Sequence, residues 1–101
     1  MLKNKLERRM FLGFIYIHIL HHALEAPIYG SWMIEELREH GYEMSAGTLY
    51  PILHRMEKEG LLETERITIE GHQRIYYRCT TFGIQVLQES KNKLKELLNE
   101  I

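Results

Sequence analysis

The chain has 101 residues, of which 45% are hydrophobic, and it carries a formal net charge of −1 at pH 7. This length indicates a single domain, and the hydrophobic content excludes an intrinsically disordered chain. The one cysteine, Cys79, excludes an intrachain disulfide, and the apolar run at residues 10–20 is shorter than the roughly 20 residues that a membrane span needs. We therefore expect a cytoplasmic protein that does not enter a membrane.

The first predicted element is an N-terminal helix within residues 1–27, which ends before Pro27. From Phe11 to Leu24 its residues are apolar almost all round, and a helix that is apolar on every side is buried on every side. The core of one small domain cannot enclose such a helix, so we expect part of it to contact a second copy of the chain. The predicted dimer-interface residues on this helix are Phe11, Phe14, Ile15, His18 and His22.

Two of these interface residues, His18 and His22, are four positions apart and share one helix face. That spacing can supply two ligands to a zinc or nickel ion, but a complete site needs more ligands and none is evident nearby in the sequence. Imidazoles that hydrogen-bond within a partly buried interface are the simpler interpretation. We therefore predict no metal site, and a metal-responsive repressor that uses this pair stays an alternative.

Residues 30–60 have the pattern of a helix-turn-helix. The first of its two helices stops at Gly41, and only residues 41–44 separate it from the second. In the second helix, Ser45 occupies the N-cap position and Gly60 the position that follows the C-terminus. The positions i, i+3, i+4 and i+7 form one apolar face, which consists of Leu49, Ile52, Leu53 and Met56.

The rest of this second helix presents hydroxyl, phenol, imidazole and guanidinium groups, which suit a recognition helix in a DNA major groove. Pro51 lies within the helix and lacks an N–H donor, so we expect a kink or a tight first turn there. The predicted DNA-binding residues of this region are Ser45, Gly47, Thr48, Tyr50, Pro51, His54, Arg55 and Lys58.

Residues 61–79 predict a β-hairpin, with strands at Leu61–Ile69 and Arg74–Cys79 and a turn at Glu70–Gln73. A helix-turn-helix followed by such a hairpin is a winged helix, in which the hairpin is the wing. We predict that His72, Gln73 and Arg74 near the wing tip approach the DNA backbone or the minor groove.

The charge distribution limits how strongly this domain can bind DNA. Basic residues concentrate in the N-terminal arm and the wing, whereas residues 25–65 hold nine glutamates against Arg38, Arg55 and Lys58. Few positive contacts per subunit imply a modest affinity and a shallow salt dependence, not an absence of binding. The acidic first helix of the helix-turn-helix also fits an alternative function, a winged helix used for protein–protein interaction.

Residues 80–101 predict a last helix with Thr80 as its N-cap. Its leucines form one broad stripe, and Leu87, Leu94 and Ile101 are spaced by heptads. We expect this stripe to form the second half of a dimer interface, and the alternative is that it packs on its own domain. The predicted interface residues on this helix are Leu87, Leu94, Leu97, Leu98 and Ile101.

Several short motifs carry a resemblance to the PadR family of bacterial and archaeal transcriptional regulators. They cover nearly the whole chain and are Ile28-Tyr-Gly30, Ser45-Ala-Gly-Thr-Leu-Tyr-Pro51, Leu53-His-Arg-Met-Glu57, Glu59-Gly-Leu-Leu62, Gly71, Arg74-Ile-Tyr-Tyr77 and Thr80-Thr-Phe-Gly83. The sequence departs from the family pattern at Ser31 and Trp32, where a tyrosine usually follows the glycine.

The resemblance implies a short, single-domain member that spans residues 1–101. Its fold would be mainly α with a small β-hairpin, a winged helix-turn-helix flanked by N- and C-terminal dimerisation helices. Its function would be that of a repressor that binds double-stranded DNA at a pseudo-palindromic operator as a homodimer. Many members of the family are released from DNA by small, often aromatic molecules, and in some relatives these sit between the first and last helices of the dimer. The resemblance therefore implies a possible small aromatic effector, and the alternative is that the interface is simply packed and no effector binds. We find no catalytic constellation or cofactor motif, so we predict neither an enzyme nor a cofactor.

Overall fold

The computed structural model describes residues 4–101, which form four helices and one hairpin. The mainly helical fold class with a small hairpin is confirmed. In chain order the elements are α1 (Lys5–Glu25), α2 (Gly30–Glu39), α3 (Ala46–Lys58), β1 (Leu62–Ile69), β2 (His72–Cys79) and α4 (Thr81–Glu100). None of the helices within the described residues combines the length and the apolar character that a membrane span needs.

Side-chain caps start the first and last helices. The Asn4 side chain accepts a hydrogen bond from the Glu7 N–H at 2.9 Å, and the Thr80 hydroxyl accepts one from the Gly83 N–H at 2.9 Å. Each bond satisfies a donor that the first turn of a helix leaves without a partner. The predicted N-cap at Thr80 is therefore confirmed.

The core lies where α1, α2, α3 and the base of the hairpin meet. The predicted apolar face of α3 is buried throughout, and Leu49, Leu53 and Met56 are fully enclosed. Met33 and Leu37 of α2 pack in the same cluster. This packing fixes the orientation of α3, so the opposite face of that helix is presented to solvent.

Both helices of the helix-turn-helix end at a glycine with positive φ, 89° at Gly41 and 81° at Gly60. After α3, the Gly60 N–H donates to the Glu57 carbonyl at 3.0 Å, and the Leu61 N–H donates to the Met56 carbonyl at 2.9 Å. These two bonds make a Schellman motif, which turns the chain directly into β1.

The hairpin turn is shorter than the sequence analysis predicted. Ile69 pairs with His72, so only Glu70 and Gly71 connect the strands. Both have positive φ, 50° and 79°, as a two-residue turn of type I′ requires. His72 is therefore a strand residue, and because side chains alternate along a strand, Gln73 projects from the face opposite to His72.

The dimer-interface prediction needs a correction at two residues. Ile15 and Leu87 are each 1% exposed and belong to the core of their own subunit, so they cannot form a face that is offered to a partner. The outer residues of the stripe on α4 do face solvent, and Leu98 and Ile101 are 68% and 85% exposed. The apolar residues near the start of α4 therefore pack in the chain's own core. Those near the end of α4 form an uncovered apolar surface.

Gly83 is needed where α4 begins. A Cβ at this position would overlap the Leu61 carbonyl and press on the sulfur of Cys79. Burial raises the pKa of the Cys79 thiol, so the sulfur stays protonated and acts as a small apolar group.

Candidate nucleic-acid interface

The outward face of α3 is uncovered along its whole length. One detail differs from expectation. Ser45 is at the N-cap position, but its hydroxyl lies 3.3 Å from the Thr48 hydroxyl and caps no backbone N–H. The first turn is tight, which agrees with one of the two outcomes expected from Pro51, because both Thr48 and Leu49 donate their N–H to the Ser45 carbonyl. The exposed residues comprise all the predicted ones, namely Ser45, Gly47, Thr48, Tyr50, Pro51, His54, Arg55 and Lys58.

The wing is connected to the start of α2 through its second strand. Ile28 and Tyr77 exchange two backbone hydrogen bonds, from the Ile28 N–H at 2.9 Å and from the Tyr77 N–H at 2.7 Å. Burial, with smaller effects of Glu57 and Tyr50, raises the pKa of Tyr77, so its phenol stays neutral. These contacts set the distance between the wing and α3.

Arg74 is held in a defined position on the wing. Its guanidinium carbon lies 4.4 Å from the centre of the Tyr29 ring, and Tyr76 packs edge-on against the same ring at 5.3 Å. A cation over an aromatic face is attracted by the ring quadrupole, so the exposed arginine is partly ordered before it meets a ligand. Tyr29 was not among the residues predicted from the sequence, although its position next to Gly30 in the Ile-Tyr-Gly motif was a signal.

A cleft of about 300 Å³ joins the three elements of this surface. Tyr50 of α3 lies on one side and Gln73 of the wing on another, and Gly30 at the start of α2 lies between them. A Cβ at Gly30 would overlap the ring of Tyr50, so the missing side chain allows α2 and α3 to approach. The structure therefore brings together predicted residues of α3 and of the wing.

Ion pairs decide which cations remain available on this surface. Arg78 contacts Glu65 at 2.7 Å and Arg38 contacts Glu35 at 2.9 Å, so both charges are neutralised. Among residues 4–101, four exposed cations of the helix-turn-helix and wing make no ion pair, and these are Arg55, Lys58, Arg66 and Arg74. The surface thus offers four cations without an ion-pair partner although the chain is slightly acidic.

The predicted interface residues of α1 lie away from this surface. Phe11 and Phe14 are half-buried, and the Phe11 ring contacts Tyr42 edge-on at 6.0 Å. Grooves of about 500 and 440 Å³ lie beside α1, and both reach α4. Burial, followed by the neighbouring His40, His22 and His21, lowers the pKa of His18, with Glu36 opposing the effect.

Known proteins that are similar to this chain are transcriptional regulators. The family described as "Transcriptional regulator PadR-like family" matches residues 19–89. The chain is 45% identical over 87 residues to Transcriptional regulator Rv3488 of Mycobacterium tuberculosis, covering 86% of this chain and 81% of that protein.

Solved structures of similar proteins share the fold. A PadR family transcriptional regulator from Eggerthella lenta is 35% identical, with a TM-score of 0.78 over 94% of this chain and 82% of that one. A PadR-like transcriptional regulator from Bacillus cereus is 31% identical, with a TM-score of 0.82 over 91% of each chain.

The contact of Gly30 with Tyr50 predicts the effect of Gly30→Ala. The obstacle to the new methyl group is the far end of a flexible side chain, so Tyr50 should swing out. We expect the free energy of unfolding to change by less than about 1 kcal/mol. DNA affinity should fall as much as in Tyr50→Ala, and the double variant should bind no more weakly than either single one. Fluorescence anisotropy with a labelled duplex and urea unfolding measure the two quantities.

Gly83→Ala is the matched control, because there the obstacle is backbone. It should lower the free energy of unfolding by roughly 1–3 kcal/mol and leave the DNA affinity of the folded protein unchanged. Additive losses of DNA affinity in Gly30→Ala and Tyr50→Ala would show that the glycine does not act through the tyrosine.

Proposed function

This chain belongs to the PadR-like family of transcriptional regulators, and we propose that it is a cytoplasmic repressor that binds a pseudo-palindromic operator as a homodimer. The observation that carries the proposal is the continuous exposed surface of α3, the wing and the start of α2. This surface holds unpaired cations on a rigid scaffold. Regulators of this family are not enzymes.

In the proposed complex α3 enters the major groove. Thr48, Tyr50 and His54 then face base edges, and Arg55 is placed to make a bidentate contact with a guanine. Arg74, stacked on Tyr29, meets the sugar–phosphate backbone beside the groove. Phosphate contacts set the register on the duplex and base contacts select the sequence, so the two arginines have different roles.

The alternative, a winged helix for protein–protein interaction, depended on the acidic face of α2. Glu35 contacts Arg38, and Glu36 lies 3.2 Å from His22 and 3.4 Å from His40. These acids are engaged within the chain, so α2 offers less free negative charge than its sequence indicates. DNA binding is the function better supported.

Separate substitutions of the two arginines test the roles proposed for them. Arg74→Ala should weaken binding about equally on all sequences and reduce the slope of log affinity against log salt by about 1. Arg55→Ala should cost ~1–3 kcal/mol on the operator and little on unrelated DNA. Arg38→Ala, which removes a charge already paired with Glu35, is the control and should bind normally. Anisotropy titrations at several salt concentrations would refute the assignment if both variants matched the wild type.

The proposed dimer uses α1 and the outer half of α4. Leu97, Leu98 and Ile101 form an exposed apolar surface that water would otherwise hydrate. A chain of this size buries a limited fraction of its surface, and association of two copies adds apolar burial. A dimer also presents two copies of α3, as two operator half-sites require.

Leu98→Glu should yield monomers and abolish operator binding, because a carboxylate would have to be buried unpaired in the interface. Asn99→Glu adds the same charge on the opposite side of α4 and should remain dimeric. Sedimentation at micromolar concentration, combined with operator titration, measures both effects. A wild-type protein that sediments as a monomer under these conditions would exclude the proposed dimer.

We also propose that a flat aromatic effector with a polar group releases the repressor from DNA. The groove of about 500 Å³ beside α1 supports this, because Phe14, His18 and Leu94 line it. The dimer has one arrangement that fits DNA well and another that fits it poorly. Such a ligand must have the higher affinity for the arrangement that fits DNA poorly.

Calorimetry against a panel of phenolic and cationic aromatic compounds tests the effector. Binding is expected in the wild type and is expected to be lost in monomeric Leu98→Glu, because the partner subunit closes the groove. If no compound binds, or if binding leaves operator affinity unchanged, the effector part of the proposal fails.

A further inference from the structure

Three histidines converge where α1 meets the end of α2. His18 and His22 come from α1, and His40 is the C-cap residue of α2. Each offers a ring nitrogen, and these nitrogens all lie within 4.8 Å of one another. Only the first two are close in the sequence, and the packing of α1 against α2 places His40 beside them.

A carboxylate joins the same cluster. One oxygen of Glu36 lies 3.2 Å from Nε2 of His22 and 3.4 Å from Nε2 of His40. The side chain of Glu36 is only 20% exposed, and that of His22 only 14%. At the junction of the two helices, Glu36 thus lies beside two of the three clustered histidines, His22 and His40.

The other ring nitrogen of His22 also has a partner. Its Nδ1 lies 3.4 Å from a carboxylate oxygen of Glu25. Metal-binding histidines almost always donate their second ring N–H to a carboxylate, a backbone carbonyl or a water, which fixes the tautomer and the ring orientation. Glu25 is positioned to do this when Nε2 is the ligand.

We propose that His18, His22, His40 and Glu36 bind one divalent transition metal ion of the zinc, cobalt and nickel class. Three imidazoles and one carboxylate suit these borderline ions, and no thiolate takes part. Zinc–nitrogen bonds are about 2.0–2.1 Å long, so tetrahedral ligands sit roughly 3.4 Å apart. The nitrogens need to move closer by at most about 1.4 Å, within the reach of side-chain rotation.

A second grouping of His21, His22 and Glu25 shares one histidine with this site, so the two cannot be filled independently. It lies on a single turn of α1, and its carboxylate is 61% exposed. The first grouping combines residues of two helices with a more buried carboxylate. Its side chains are therefore already more restricted, and they lose less conformational freedom when an ion binds.

The bound ion links α1 to the end of α2. Because α2 packs against α3, the link reaches from the helix proposed for dimerisation to the one proposed for recognition. We infer that metal occupancy changes operator affinity, a consequence that rests on the proposed function, whereas the site itself does not.

Cobalt titration of the untagged protein tests the site. The single tryptophan, Trp32, packs edge-on against His22 at 5.4 Å, so it reports an ion at that histidine. Co²⁺ should quench Trp32 fluorescence and give the visible absorption of tetrahedral cobalt without a thiolate charge-transfer band. Zn²⁺ should reverse both signals.

His40→Gln and Glu36→Gln should each weaken Co²⁺ binding by more than about 10-fold, because even the loss of an outer partner costs that much. His72→Gln on the wing is the matched control and should bind as the wild type. His40 is partly exposed, so its loss leaves the core intact, and circular dichroism checks this. Equal Co²⁺ affinity of the wild type and His40→Gln overturns the site.

Operator affinity with and without Zn²⁺ tests the regulatory consequence. A change in the wild type that is absent from His40→Gln supports it. Unchanged operator affinity despite a cobalt signal overturns the regulatory part and leaves the site standing. Absence of DNA binding under all conditions refutes the proposed function, and the cobalt titration still decides the site.

Discussion

The two hydrogen bonds between Ile28 and Tyr77 determine how the DNA-facing parts are arranged. They add the segment before α2 to the edge of the hairpin, where an unpaired strand edge would otherwise face solvent. The start of α2 is therefore hydrogen-bonded to the wing. Since α2 also packs on α3, the wing and the recognition helix keep a fixed separation, and Tyr29 is left beneath Arg74. DNA then meets a preorganised surface, which reduces the ordering that binding requires.

The periodic parts of this fold were predictable from sequence, because the hydrophobic period and the residues that end each helix indicate the same element there. Leu49 to Met56 repeat with the period of a helix, and Gly60 supplies the positive φ that ends it. The predicted hairpin turn was two residues too long. Glu70 adopts a positive φ of 50°, which is uncommon for a glutamate and which its residue type therefore did not indicate. The pairing register of the two strands fixes the length of the turn, and that register cannot be read from a single sequence.

Prediction was weaker where the neighbours come from distant parts of the chain. Heptad spacing put Leu87 with the outer leucines of α4, but such spacing cannot distinguish the chain's own core from a partner. His40 and Glu36 looked like ordinary polar residues of α2, and only the packing of α2 on α1 brings them to His22. The exposed face of α3 was easier to predict, because all of it belongs to one helix with a regular period.

Helix α1 is the element on which the proposed activities converge. Its apolar side fills the core, its aromatic side borders the groove toward α4, and its histidines meet the end of α2. A ligand on either side acts on DNA only if its affinity differs between the arrangements of α1 that fit and misfit the operator. An ion held by both α1 and α2 meets this condition directly, because a shift of one helix against the other separates its ligands. An aromatic molecule in the groove senses the position of the partner subunit instead. Because His18 lines that groove and also belongs to the histidine cluster, the two ligands would act on each other through this residue.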